Sequence, residues 1–290
     1  MNLSNLFDMT RNGGSPMKHL GNHLRPPEGD WIRKWKTDRS FVTSLARGME
    51  ILRCFSSSYP ELSVKDIAAK TGLPQQTAWR LCHTLKVMGY LTSAADSDRL
   101  TTTSSVLALG LSALPSAAAD NVVSQELQKL ADRFQVSAGL ADRDRFSMIF
   151  LLRGRARPYL AVTDMRPGTR FNIYRSAAGW AYIAGMEPSE RNDLFRQLKN
   201  LLGTQWPETE EILKKAIKEY SAKGFVTNCS VIAPGLNAVS AQVRLPRRAR
   251  LAIACSAPEE LLPLEKMNRE IGPELLRVAK RLETMLPSHA

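Results

Sequence analysis

The chain of 290 residues is poor in cysteine: Cys54, Cys82, Cys229 and Cys255 lie far apart and form no C-x-x-C pair. That scarcity excludes a disulfide-stapled scaffold and a zinc knuckle, and it predicts a reducing, cytoplasmic setting. No run approaches about eighteen uncharged apolar residues, so no membrane helix is expected. Residues 1–30 lack an apolar core segment and a cleavage signature, which speaks against export. Histidine is scarce too, and of His19, His23, His83 and His289 only His83 falls in a patterned segment. The second half of the chain therefore offers no histidine as a general base. G-x-S-x-G, H-E-x-x-H, G-x-x-x-x-G-K-[ST] and G-x-G-x-x-G are all missing. Asp142 and Asp144 read as loop carboxylates without a partner at catalytic spacing. No metal or cofactor is implied, and enzyme chemistry is the least supported reading.

Positive charge is what the chain does have. Lys and Arg number 40 against 28 Asp and Glu, a net charge of +12. Such a balance favours polyanionic partners, because cations on phosphates release counterions. The length suggests two compact domains. Residues 1–39 read as a flexible arm with Gly-Gly, Pro-Pro and the basic-aromatic patch "WIRKWKTDR" at Trp31 to Arg39. That patch suits a phosphate backbone or a DNA groove, or is simply a solvated arm.

Leu45, Met49, Leu52 and Phe55 recur at three or four residues and predict a first helix with one inward stripe. In "LSVKDIAAKTGLPQQTAWRLCHTLKVMGYL", Leu62 to Leu91, Ser63 stands as an N-cap before Val64, Ile67, Ala68 and Thr71. Gly72 suits a left-handed C-terminal position, and Pro74 opens the next helix. That helix has Ala78, Leu81, Leu85 and Met88 inward and ends at Gly89. Two short helices around a Gly-containing turn read as a helix-turn-helix. "YLTSAADSDRLTTTS" then reads as a hairpin, so residues 40–103 are expected to form a winged helix-turn-helix domain.

Gln76, Trp79, Arg80 and His83 lie at i, i+3, i+4 and i+7, on the face opposite the inward stripe. In such a domain the second helix enters the major groove with its first turn, here Gln75, Gln76 and Thr77, towards the bases. Gln pairs bidentately with adenine and Arg with guanine, while Thr77 and Arg80 equally suit phosphates. Partial burial of Trp79 and plain packing of His83 are the alternatives. The expected partner is double-stranded DNA.

With these blocks the chain resembles the IclR family of bacterial transcriptional regulators. The likeness rests on "SLARGMEILRCF" followed by the helix-turn-helix, then "VLALG" at Val106 to Gly110. It continues with "RPGTRFNIYRSAAGWAYIAG" at Arg166 to Gly185 and "GF…APGLNAVSAQV" from Gly224, spanning nearly all of residues 40–286. The resemblance implies an α+β chain: a linker helix over 104–120 and a GAF-like effector-binding domain over 121–290. The sequence pattern agrees independently, with helices near 122–134, 177–184, 190–201 and 209–222. Strands are expected at "FSMIFLLRG", "PYLAVTD", "LNAVSAQVRL" and "RARLAIACSA", the last two flanking the basic turn "PRRAR". A closing helix over 259–286 is interrupted by Pro263 and Pro273.

The resemblance further implies a pocket for a small organic acid. It would be lined by Ser176, Ala177, Ala178 and Gly179 at a helix N-terminus and by Asn228, Cys229, Ala238 and Ser256 from strands. The chain departs from the family at Asn172 to Arg175, at Trp180, and at Ala238 and Ala254, where polar side chains are frequent. Tyr174 and Trp180 then either favour an aromatic or otherwise apolar acid or belong to the core. Arg175 or Arg170 would be the anion's partner. In the wing, Thr101 and Ser105 replace frequent arginines, which leaves Arg99 as the main cation. Arg47 would support the winged domain, or pair with Glu50 or Asp66.

The family reading is thus a ligand-responsive regulator that binds a pseudo-palindromic operator as a homodimer, with sensor domains pairing dimers into tetramers. The alternatives are a winged-helix module that binds protein, or an enzyme. Residues 1–114 carry 14 Lys and Arg against 9 Asp and Glu, a net of +5, which favours DNA over a protein partner.

Overall fold

A computed structural model of the protein describes residues 38–56, 59–95, 97–111, 117–156, 166–244 and 250–285, the side chains of 111 and 117–120 excepted. The expected strand "PYLAVTD", most of "PRRAR" and nearly all of the N-terminal arm with its basic-aromatic patch lie outside the described residues. The chain divides into two compact units, one containing residues 38–111 and the other residues 117–285.

The first unit packs helices α1 (Thr43–Leu52), α2 (Val64–Thr71) and α3 (Gln75–Val87) against a three-stranded sheet, and α4 (Ser104–Leu111) follows. The sheet, ordered β1–β3–β2, consists of β1 (Glu61–Leu62), β2 (Leu91–Ser93) and β3 (Leu100–Thr102), all antiparallel. β2 and β3 are the expected hairpin; β1 joins it as a third strand too short to read from sequence. α2 starts in a full capping box: Ser63 Oγ accepts from the Asp66 N–H, and the Asp66 carboxylate accepts from the Ser63 N–H. It ends at Gly72 with φ +71°, a left-handed turn that a Cβ would strain. Ile51, Ile67, Ala78, Cys82 and Leu91 fill the core at 2% exposure or less.

Two inward expectations need correction. On α1 Ile51 reaches the core, as do Cys54 and Phe55 just past its end, whereas Leu45 and Met49 join Val42 on the outside at 50–65% exposure. Three-four spacing identifies a helix side but not which side meets the core, and α1 has apolar residues on both. On α3, Cys82 takes the inward place and Met88 is exposed, because the helix has already ended at Val87 and the chain turns through Gly89.

The second unit is built on a six-stranded antiparallel sheet in the order β6–β5–β4–β9–β8–β7. Its strands are β4 (Ser137–Asp144), β5 (Ser147–Arg155), β6 (Arg170–Asn172), β7 (Phe225–Cys229), β8 (Leu236–Val243) and β9 (Leu251–Pro258). β4 places Asp142 and Asp144 on a strand rather than in a loop. One face is covered by α5 (Ala117–Phe134) and α9 (Gly272–Met285), which enclose a core including Leu127, Leu140, Ile253, Cys255 and Leu275. α6 (Ala177–Ala184), α7 (Pro188–Leu202) and α8 (Trp206–Lys223) enclose the second core, around Phe150, Ile173, Ala181, Leu198 and Val226. Of the two expected breaks in the closing helix, the one at Pro263 is real, since the helix starts only at Leu264; at Pro273 the helix is not broken, and a π-helical segment over Met267–Ile271 runs straight into α9. The expected linker segment, 104–120, holds α4 and the first turn of α5, with residues 112–116 outside the described set.

Candidate functional site

α3 presents its polar face to solvent. Gln75, Gln76, Trp79, Arg80 and His83 are exposed and Thr77 is half-buried. Trp79 is 57% exposed, which removes it from the core. Its indole stacks on the His83 imidazole one helical turn on, with centroids 5.6 Å apart and planes 12° from parallel. Pro74 supplies no side-chain cap, so first-turn N–H groups of α3 point outward without one. Arg47 reaches from α1 to the same place. Together with Ser44, Thr77, Trp79, Arg80 and His83 it lines a groove of about 400 Å³. Its Nε is buried with no hydrogen-bond partner among the described residues. The salt bridges expected as alternatives go elsewhere: Glu50 meets Arg53 at 3.7 Å and Asp66 meets Arg99 at 3.3 Å.

Arg99, the expected wing cation, is half exposed and engaged within its own domain. Its Nη2 donates to the Asp66 carboxylate and to the Glu61 carbonyl, each at 3.3 Å, tying β3 to the start of α2 and to β1. The same Asp66 is held below its ordinary range, chiefly by the Ser63 hydroxyl and N–H, with Arg99 adding charge.

In the second unit a small cavity of about 30 Å³ opens where the α6 N-terminus meets the sheet. Ser176 caps α6, its Oγ accepting from the Gly179 N–H at 3.1 Å, and a hydroxyl that accepts there still has its own O–H to donate. Ala177 and Ala178 follow, their amides in the first turn where no intrahelical acceptor exists. Strand register supplies the floor. Ser137, Ser256, Ala238 and Asn228 stand in one cross-strand row over β4, β9, β8 and β7, and Arg153, Gly139 and Ala254 in the next row on the same face. Asn228 closes one side by donating to the Arg175 carbonyl at 2.9 Å and accepting from the Val231 N–H. Phe150, Phe171, Ile232 and Leu236 make the walls apolar.

The structure brings together six of the expected acid-binding residues: Ser176, Ala177, Ala178, Asn228, Ala238 and Ser256. The other four stand outside the lining. Gly179 is enclosed, with the position of a Cβ lying 1.9 Å from the Ile173 carbonyl oxygen. Tyr174 is buried in the α6–α8 core, where desolvation raises its phenol, and its carbonyl accepts from Trp180 Nε1 at 2.8 Å. Arg175 is exposed and donates to the Val231 carbonyl; Cys229 is exposed at the end of β7. Arg170 forms an ion pair with Asp144 at 2.8 Å. The arginine that does line the cavity is Arg153, which no pattern in the sequence singles out. A bulge at Leu140/Ala141 shifts the β4–β5 register, so Phe150 pairs with Ala141 and Arg153 with Gly139. Both then face the cavity, although strict alternation would send residues 150 and 153 to opposite faces.

A winged helix-turn-helix with an exposed reading helix, followed in sequence by an α+β unit with a small cavity at a helix N-terminus, defines a DNA-binding transcription regulator. Its helix-turn-helix matches the IclR helix-turn-helix domain over residues 44–94. An IclR-family transcriptional regulator from Brucella abortus shares 30% identity and a TM-score of 0.79, over 87% of this chain and 96% of that one. The HTH-type transcriptional regulator TsaQ1/TsaQ2 of Comamonas testosteroni is 26% identical over 267 residues, 91% of this chain and 94% of its own length. An IclR homolog from Microbacterium hydrocarbonoxydans, solved in complex with 4-hydroxybenzoate, shares the fold with a TM-score of 0.64 at 20% identity, over 84% of this chain and 98% of its own. The chain belongs to the IclR family. Among the described residues no helix is long and apolar enough to cross a membrane.

Proposed function

We propose that this regulator binds a pseudo-palindromic operator as a homodimer and senses a small organic acid, aromatic by preference, in the cavity of its second unit. The observation that carries the DNA half is the exposed α3 face: Gln76 and Arg80 suit base edges, while Thr77 and the first-turn amides suit phosphates. Arg47, beside Arg80 in the groove, adds a second cation suited to phosphate. Val42, Leu45 and Met49 form an exposed apolar stripe on α1 that a second copy of the chain would cover, and a two-fold dimer matches a two-fold operator. For the acid, the α6 N-terminus at Ser176 favours negative charge, and the Phe150 and Phe171 rings favour a planar apolar body. The 4-hydroxybenzoate complex of the Microbacterium homolog supports that ligand class. The acid would shift operator affinity by a coupling of about 1–3 kcal/mol.

The test selects duplexes bound by the full chain from a random pool, then titrates the winner by fluorescence anisotropy across a salt series. The expected result is a two-fold symmetric site whose log affinity falls linearly with log salt, and which responds to 4-hydroxybenzoate. Absence of any preferred sequence, with binding indifferent to salt, would instead favour a winged module that docks on protein.

A further inference from the structure

We propose that Trp79, held by its stack on His83, reads the 5-methyl group of thymine in the major groove. This rests on the DNA-binding reading of α3 and names the base feature that the helix would recognise. The indole is 57% exposed and shares its helix face with Gln76, Arg80 and His83. Covering such a ring returns free energy in proportion to the apolar area removed from water. The groove beside it indicates what does the covering. Arg47 and Arg80 line that groove with Ser44, Thr77 and Thr84, and no Asp or Glu is among the described residues that do. Two guanidiniums in a groove so lined attract a polyanion.

Against DNA the polar groups of this face have polar targets. The arginines suit phosphates or guanine, and the Gln76 amide suits adenine. An indole carries no charge and a single N–H donor, so most of what it offers is apolar contact. The one apolar group that a base pair shows in the major groove is the thymine methyl. Gln76 and Trp79 stand three residues apart on one face, so a run of A·T pairs gives a target to each: an adenine edge to the amide and a methyl to the ring. The stack prepares the ring for this. Indole and imidazole, four residues apart, lie with centroids 5.6 Å apart and planes 12° from parallel. A ring leaning on a neighbour has fewer rotamers to surrender when DNA arrives, which lowers the entropic cost of the contact. His83 is accordingly a positioning residue for Trp79.

The test replaces thymine by deoxyuridine, one position at a time, in the duplex that the full chain selects from a random pool. The exchange removes the methyl and keeps every hydrogen-bonding group. Anisotropy titrations are expected to show, at one or two thymines of each half-site, a loss of about fourfold per methyl. In Trp79→Ala that loss vanishes, and Trp79→Phe keeps part of it. His83→Ala shrinks the ratio between thymine and uracil duplexes and His83→Phe restores it, with the melting temperature of each variant unchanged. A selected site that tolerates uracil at every thymine, or has no thymine in its half-sites, overturns methyl reading and leaves DNA binding standing. A uracil penalty that persists in Trp79→Ala overturns the assignment to Trp79, and a ratio indifferent to His83→Ala overturns the positioning role. Failure to select any duplex overturns the DNA-binding reading and this inference with it.

Discussion

At Gly179 the structure admits a hydrogen atom and nothing larger, since a Cβ would fall 1.9 Å from the Ile173 carbonyl. Alanine is the better helix former by about 1 kcal/mol, but the clash is with backbone that cannot step aside, so sterics win. Gly179→Ala is expected to cost about 3 kcal/mol or more in urea unfolding of the second unit. Residue-scale expectations also separate two arginines in the first unit. Arg80→Ala should weaken operator binding by about 1–3 kcal/mol in anisotropy titrations while leaving the melting temperature unchanged. Arg99→Ala should do less to operator affinity and lower stability by about 0.5 kcal/mol, because its ion pair with Asp66 is half exposed. At this scale the sequence is readable wherever a side chain acts on its own helix. The i, i+3, i+4, i+7 face of α3 and the Ser63 cap needed no tertiary information. Arg99 and Arg170 were not readable, because their carboxylates lie 33 and 26 residues away along the chain.

Among the elements, α5 and α9 are joined by charge as well as by apolar packing. Glu126 of α5 accepts from Arg281 of α9 at 2.7 and 3.0 Å and from Lys129 at 2.7 Å. Burial works to raise this carboxyl, and the hydrogen bonds from Lys129 and Arg281 outweigh it, so it sits below its usual value of 4.5. A depressed folded value means stability that is complete above the unfolded value and lost as pH falls through the folded one. Glu126→Gln should therefore cost the second unit about 1.5–3 kcal/mol at neutral pH, and the gap to the unaltered protein should close below about pH 4.5. Thermal melts from pH 7 to 3 measure it; a gap independent of pH would mean that the ion pairs contribute nothing. Elements with strong periodicity, α2, α3, β8 and β9, were legible. β1 and β6 were too short to leave a pattern, and β4, with its Gly, Ala and three charged residues, has none of the β-branched bias that marks a strand. The β4–β5 bulge was equally invisible, and it is what turns Arg153 into the cavity.

For the whole molecule, the two units fold around separate cores, and the outward stripe of α1 belongs to neither. If a second copy covers Val42, Leu45 and Met49, Leu45→Glu should convert dimer to monomer in sedimentation velocity and weaken operator binding, with the first unit still folded. The two-unit plan was readable from the switch between helix-turn-helix and mixed α+β patterning. The inward-outward assignment of α1 was not, since both of its sides are apolar.

The placement of the thiols has a practical consequence. Cys54 and Cys82 lie in the core of the first unit and Cys255 in the α5–α9 core of the second unit, while Cys229 is exposed. Burial pushes Cys82 up to about 11 and Cys255 up to about 12, so at neutral pH almost none of either is thiolate. Partial burial and the Glu219 and Glu259 carboxylates raise Cys229 as well, yet its exposure means alkylating reagents should modify it first, and the others only when their own unit opens. Mass-resolved labelling then gives the protein two internal clocks. Operator DNA should slow the one at Cys82, and a bound acid the one at Cys255.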